Sequence, residues 1–536
     1  MGAAAPAVTE PGRLVGMRRP VLLAMVLVVC SACGAGPSNR PHVAVEREGG
    51  GSEPGATATE TENPGASLPE LQAPRTDLAW FDCTQSTLTA LDPGTPPPGD
   101  LIFECASYDA AVDESGTLPG TFTMGALRAR LTGTPENVAP LILTSGSDRS
   151  STATLAALST GDLTRLLSTR PVVALDRRGI GSSQKIECLT PQLRRNLADL
   201  GQFDPGPGDQ VDKMTALGRD ATIACTDYLQ PQELAFDSTH AADDIEALRS
   251  IWDVDSVGLL ATGNGSAVAL SYAAKYPDRI GRLVLDSPAA TTVDAATVAE
   301  QRLAGQEAAF DAFANQCTAL NCSLGADPRA AMTDAVTRAS NGQIPQVSTN
   351  ALLTAVTGTL AATGGDQLGR VPALSDAVST AVAGNTAPIL ALALQSEGAL
   401  ESDGQLITRC TDGQQWPGPD RVRELQDLWG ERFPLFGPSA AIGLLACTSW
   451  PTTAPPALPG ELNMPVLVLD GIADPIVGTA GVGIVTGVVS SAGATTATVT
   501  WHGSGHPAAQ SDCAQNSIVT YLADGVLPPD GSACPA

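Results

Sequence analysis

At 536 residues the chain exceeds the roughly 250 to 300 residues at which a single hydrophobic core stops growing, so two packed units, or one domain with a large insertion, are expected. Its 57 acidic and 30 basic residues give a formal charge of -27, which repels polyanions at long range and excludes nucleic-acid binding. Hydrophobic residues at 43% exclude a chain disordered throughout.

Arg18 and Arg19 precede an apolar run from Val21 to Cys30, followed by Ser31, Ala32, Cys33 and Gly34, the pattern of a signal peptide over residues 1–33. A membrane span needs about 20 apolar residues, so this run is too short for one. The small residues before Cys33 resemble a bacterial lipobox, except that Cys30 occupies the place usually held by Leu. Lipidation at Cys33 is the expectation, with cleavage and release as the alternative, and translation from Met1 or from Met17 is left open. Residues 34–76 are rich in Pro, Gly, Ser, Thr and Glu and are expected to form a disordered linker.

Ten cysteines remain behind the export signal: Cys83, Cys105, Cys188, Cys225, Cys317, Cys322, Cys410, Cys447, Cys513 and Cys534. An even number in an exported chain implies disulfides. About 945 pairings exist, and pairing of sequence neighbours is the expectation. No C-x-x-C pair occurs and the chain has only four histidines, so neither a metal site nor a cofactor is expected.

From Leu78 onward β-branched runs alternate with helical patterns, the mark of a mostly parallel sheet flanked by helices. Strands are expected at residues 141–144, 172–176, 257–261, 283–286, 466–470 and 497–501. Ile245, Leu248 and Trp252 lie at helical spacing after Ser238 and Thr239, which can cap that helix. The alternation lapses over residues 291–455, where Ala-rich helical sequence suggests an inserted cap between two core parts, residues 77–290 and 456–536.

Three segments carry a resemblance: RPVVALDRRGIGSS (170–183), HAADDIEALRSIW (240–252) and GLLATGNGSAVALSYAAKYPDRIGRLVLD (258–286). With PVLVLDGIADPIVG and the terminal WHGSGHPAAQSDCAQNSIVTYLADGVLPPDGSACP, they resemble the α/β-hydrolase superfamily. The likeness is to its secreted actinobacterial tripeptidyl-aminopeptidase-like serine hydrolases, relatives of proline iminopeptidases. The resemblance implies an α/β-hydrolase fold with a helical cap, His506 as the base and Asp474 as the acid that orients it, Asp470 being a nearby competitor. Taken singly, Asp474 reads as a turn residue before Pro475 and His506 as a surface histidine; their joint spacing favours the catalytic reading.

The family's nucleophile stands in G-x-S-x-G, fourteen residues before the proline of a PDR motif. Counting back from Pro277 reaches Gly263, within Ala261, Thr262, Gly263, Asn264 and Gly265. The turn keeps its small flanking residues, while the reactive oxygen is missing. Ser266, three residues on, would sit about 4.5 Å deeper along the following helix, and both Ser266 and Thr262 are weak replacements. The family's glycine-rich oxyanion loop is also altered, since Thr144 is followed by Ser145, Gly146, Ser147, Asp148 and Arg149.

The function expected is that of an exported, envelope-tethered protein that has lost catalysis and uses its cleft to bind a small peptide, an acyl ligand or a protein partner. Membrane association would come only through the lipid anchor. The alternatives are an active serine peptidase or esterase using Ser266 or Thr262 with His506 and Asp474, and a purely structural scaffold.

Overall fold

The computed structural model describes residues 68–536 apart from 92–98, 148, 162, 364–366, 399–401 and 452. The signal-peptide region, Met17, Cys30, Cys33, the linker up to residue 67 and Asp148 lie outside the described residues.

A ten-stranded sheet organises the chain, in the order β1-β2-β3-β5-β4-β6-β7-β8-β9-β10. Its first edge is antiparallel: β1 (Phe81–Asp82), β2 (Leu101–Ala111) and β3 (Thr121–Leu131). From β5 onward all neighbours run parallel: β4 (Leu141–Thr144), β5 (Val172–Leu175), β6 (Val257–Thr262), β7 (Ile280–Asp286), β8 (Pro465–Ala473), β9 (Thr495–Ser504) and β10 (Ser532–Cys534). Every residue of β4, β5, β6 and β7 is buried, as expected where helices cover both faces of a parallel sheet.

The six strands read from sequence are present, while the β2–β3 hairpin was not foreseen. Its outward face is charged, with Glu104 accepting from Arg128 and Arg130, and Ala, Ser and Cys interrupt the apolar alternation that would announce it.

Among the described residues seven α-helices precede β7: α1 (Thr84–Leu91), α2 (Ser151–Thr160), α3 (Thr164–Leu167), α4 (Pro191–Ala198), α5 (Gln210–Leu229), α6 (Ser238–Trp252) and α7 (Gly265–Lys275). The α6 cap is Asp237, whose carboxylate accepts from His240 N at 2.9 Å, rather than the expected Ser238 or Thr239. Between β7 and β8 the chain forms α8 (Ala295–Leu320), α9 (Pro328–Ser340), α10 (Thr349–Ala361), α11 (Gln367–Val382), α12 (Ala387–Gly398), α13 (Gly404–Thr411), α14 (Pro419–Arg432) and α15 (Gly437–Gly443). Two more helices, α16 (Ala480–Ser491) and α17 (Asp512–Asp524), follow among the terminal strands.

Buried side chains of this helical layer, among them Leu303, Phe310, Leu352, Leu374 and Trp429, form a cluster of their own with Val211, Met214 and Leu217 of α5. The layer therefore draws on a helix that precedes residue 291. Residues 68–76, expected to belong to the linker, lie against the core: Leu68 and Leu71 are half-buried and Arg75 N donates to Trp252 O at 2.9 Å. Those two leucines supply the apolar area that the rest of the stretch lacks.

The disulfides join sequence neighbours: Cys83–Cys105, Cys188–Cys225, Cys317–Cys322, Cys410–Cys447 and Cys513–Cys534. Among the described residues no helix is long and apolar enough to cross a membrane.

One close approach positions everything at the sheet's carboxyl edge. A Cβ on Gly265 would lie 2.1 Å from Thr144 O, so α7 starts directly against the end of β4. Gly265→Ala is expected to cost about 3 kcal/mol in urea unfolding. In Gly483→Ala the new Cβ meets nothing within 4 Å on α16, and the change should be neutral or gain up to about 1 kcal/mol. Equal losses in the two variants would contradict the crowding argument.

Candidate active site

The turn from β6 to α7 carries Gly263 with φ +55°, a left-handed conformation that glycine adopts without strain. Its amide donates to Asp286 O at 3.1 Å and its carbonyl accepts from Ala289 N at 3.1 Å, so the turn is clamped by the end of β7. A Cβ built there would stand 3.3 Å from Cε1 and 3.4 Å from Nε2 of His506. Gly263 thus faces the imidazole edge.

His506 follows β9 after Gly505, whose amide donates to Ala473 O at 3.1 Å. The ring is 2% exposed, and its Nδ1 lies 2.7 Å from Asp474 Oδ2. With Nδ1 turned to Asp474, Nε2 is the ring nitrogen that faces Gly263. The second oxygen of Asp474 accepts from Ile476 N at 2.8 Å and Val477 N at 3.1 Å, which fixes the carboxylate in its turn. Asp470 does not take this role: its Oδ1 is buried without a hydrogen-bond partner among the described residues. Burial, followed by the neighbouring Asp474 and Asp286, pushes its carboxyl up to about 6.

Asp286, at the end of β7, is fully buried and accepts from Ala508 N at 2.9 Å and Ala509 N at 2.8 Å, holding the segment just beyond His506. Burial lifts this carboxyl to about 6 against the opposing pull of His506 and the two amides. Asp176 does equivalent work for the loop after β4, accepting from Ser150 Oγ, Thr152 N and Ser182 N at 2.9, 3.0 and 2.8 Å. Neither role was read from sequence. A signal existed: Leu175-Asp176, Leu285-Asp286 and Leu469-Asp470 each end an apolar strand, where a carboxylate must find donors or shift its pKa.

The two substitute nucleophiles are engaged elsewhere. Ser266, fully buried, donates its hydroxyl to Ala289 O at 3.2 Å, and Thr262, also fully buried, bonds Ser145 Oγ at 3.1 Å. Gly146 (φ +71°) lies on the turn itself, since a Cβ there would meet Asn264 C at 2.4 Å. Asn264 Nδ2 reaches Ser147 Oγ at 3.4 Å, and Ser145 N donates to Ser151 Oγ at 2.9 Å. Arg149 and Asn264 line a cleft of about 2370 Å³ whose far wall is the helical layer.

An imidazole oriented by a buried carboxylate at the carboxyl edge of a parallel sheet, beside a tight strand-to-helix turn, defines an α/β-hydrolase. A family model described as "TAP-like protein" matches residues 433–534, and one described as "alpha/beta hydrolase fold" matches residues 161–352. "Serine protease Hip1" of Mycobacterium tuberculosis is 24% identical over 502 residues, 87% of this chain and 92% of that protein. "Tripeptidyl aminopeptidase" of Streptomyces lividans is 24% identical over 229 residues, 42% of this chain and 40% of that protein. Among solved structures, esterase RhEst1 from Rhodococcus sp. ECU1013 is similar at 15% identity and a TM-score of 0.37, over 79% of this chain and 99% of that one. The chain has the α/β-hydrolase fold and is similar to TAP-like serine hydrolases.

The raised carboxyl of Asp470 has a pH consequence. Its folded value near 6 lies above the unfolded value near 3.9, so ionisation disfavours the fold and stability is lost as pH rises from about 4 to about 6. Asp470→Asn removes that charge. It should gain about 1 kcal/mol at pH near 7.5, the group being half-buried and partly screened, and the gain should vanish near pH 4. Denaturant unfolding at the two pH values checks the difference, and a gain independent of pH would contradict it.

Proposed function

We propose that this protein is an exported TAP-like α/β-hydrolase that has lost serine-hydrolase chemistry and acts by binding a peptide, an acyl ligand or a protein partner in its cleft. The observation that carries this reading is the side-chain-free Gly263 facing Nε2 of His506, where acyl transfer would require an oxygen. In this reading the base and acid persist with nothing to activate. Loss of the nucleophile costs about 10⁶ in turnover in subtilisin, and what survives comes from the oxyanion hole and binding. The loop after β4 also differs from the family's glycine-rich run, retaining only Gly146, so that residual rate is reduced here as well.

The alternative, catalysis by Ser266 or Thr262, is weakened by the bonds their hydroxyls make to Ala289 O and Ser145 Oγ. Five disulfides suit an oxidising compartment and support export. Anchoring through a lipid on Cys33 belongs to the same proposal and rests on the small residues that precede it.

The purified protein should resist fluorophosphonate labelling and leave aminoacyl and ester reporters uncleaved. Gly263→Ser should restore little turnover, because the loop after Thr144 needs repair as well. Labelling of the wild type that is abolished by Ser266→Ala or by His506→Ala would overturn the reading. Robust turnover by Gly263→Ser would show that the loop is still competent.

A further inference from the structure

Helix α8 meets the loop that carries Asp474 backbone to backbone. A Cβ on Gly305 of α8 would stand 2.1 Å from Asp474 O and 2.6 Å from Gly478 Cα, and a Cβ on Gly478 would stand 2.2 Å from Gln301 O. Each glycine thus makes room for the main chain of the other segment. Gly478 has φ +70°, and its amide donates to Asp474 O at 3.1 Å, so the carbonyl that Gly305 faces is also the one that closes the acid's turn.

Asp474 is therefore held on three sides. Its Oδ2 lies 2.7 Å from His506 Nδ1, its Oδ1 accepts from Ile476 N and Val477 N, and its carbonyl lies against α8. Val477, in the same turn, has its Cγ1 3.5 Å from the Cβ position of Gly263. A shift of this loop thus reaches both His506 and the turn at Gly263. The rest of α8 belongs to the helical layer, where Leu303, Phe310 and Phe313 are buried and Glu300 pairs with Arg432 of α14. Val298, Ala299 and Gln306 of the same helix line the cleft. One regular element of 26 residues therefore carries both a wall of the cleft and the seat of the acid.

We infer that the cleft wall and the His506–Asp474 pair form one coupled unit, in which Gly305 and Gly478 are the residues that position the acid. This deepens the binding role proposed above and rests on it for the ligand: what presses on α8 from the cleft shifts Asp474, and by linkage the state of the pair shifts the affinity of the cleft.

The proton of the bond between His506 Nδ1 and Asp474 Oδ2 supplies a spectroscopic readout, followed by NMR of the whole chain labelled at histidine and assigned by its loss in His506→Gln. Gly305→Ala and Gly478→Ala should each shift or abolish that resonance, and Val298→Trp, which adds bulk to the cleft face of α8, should shift it too. Gly437→Ala should leave it in place, although its Cβ would stand 2.4 Å from Trp429 O and crowd the same helical layer. The reverse direction needs no crowding variant: His506→Gln should speed hydrogen exchange in α8 at least about tenfold and leave α6 unchanged.

A resonance unmoved in the α8 and Gly478 variants, one lost equally in Gly437→Ala, or exchange in α8 that His506→Gln leaves unchanged would overturn the coupling. Fluorophosphonate labelling of the wild type would instead overturn the loss of catalysis and leave the coupling standing.

Discussion

Three backbone segments meet so closely at the carboxyl edge of the sheet that side chains are excluded from the contact. The start of α7 rests on Thr144 O, with 2.1 Å left for a Cβ at Gly265. The loop after β4 rests in turn on the α7 start, with 2.4 Å left between a Cβ at Gly146 and Asn264 C. Because neither approach can relax without breaking the sheet register, the turn at Gly263 is held rigid and aimed at His506. The geometry of a nucleophile turn is thus retained by packing between backbones, independently of what the apex residue carries.

Around that turn the fold concentrates carboxylates in places of low solvent access. Asp474 orients His506, Asp286 holds the segment after it, and Asp176 holds the loop after β4. Each of the three is matched to backbone amides or hydroxyls, whereas Asp470 keeps a buried oxygen without a partner among the described residues and has its carboxyl pushed up. The acidic composition therefore does structural work at the sheet edge.

The parallel strands β4 to β8 were legible as apolar runs and β9 as an alternating β-branched one, whereas the three-residue β10 was not read; the pairing of His506 with Asp474 was implied by the family resemblance, each lying on a short loop after such a strand. The β2–β3 hairpin was not legible, since its outward face is paid for in Glu104–Arg pairs that only its pairing creates. Residues 68–76 looked like linker because two leucines in a polar stretch say nothing of the surface they find.

Sequence by itself determined the parallel core, the absence of a hydroxyl at position 263 and the excess of acid over base, since each is a property of residue order and residue type. Tertiary structure decided the rest. It selected Asp474 over Asp470, turned the hydroxyls of Ser266 and Thr262 onto other partners, and seated α8 against the loop of Asp474. The reason is physical: hydrogen bonding and charge act across a few ångströms, and residues such as Gly305 and Asp474 come within that range only when the helical layer closes over the sheet.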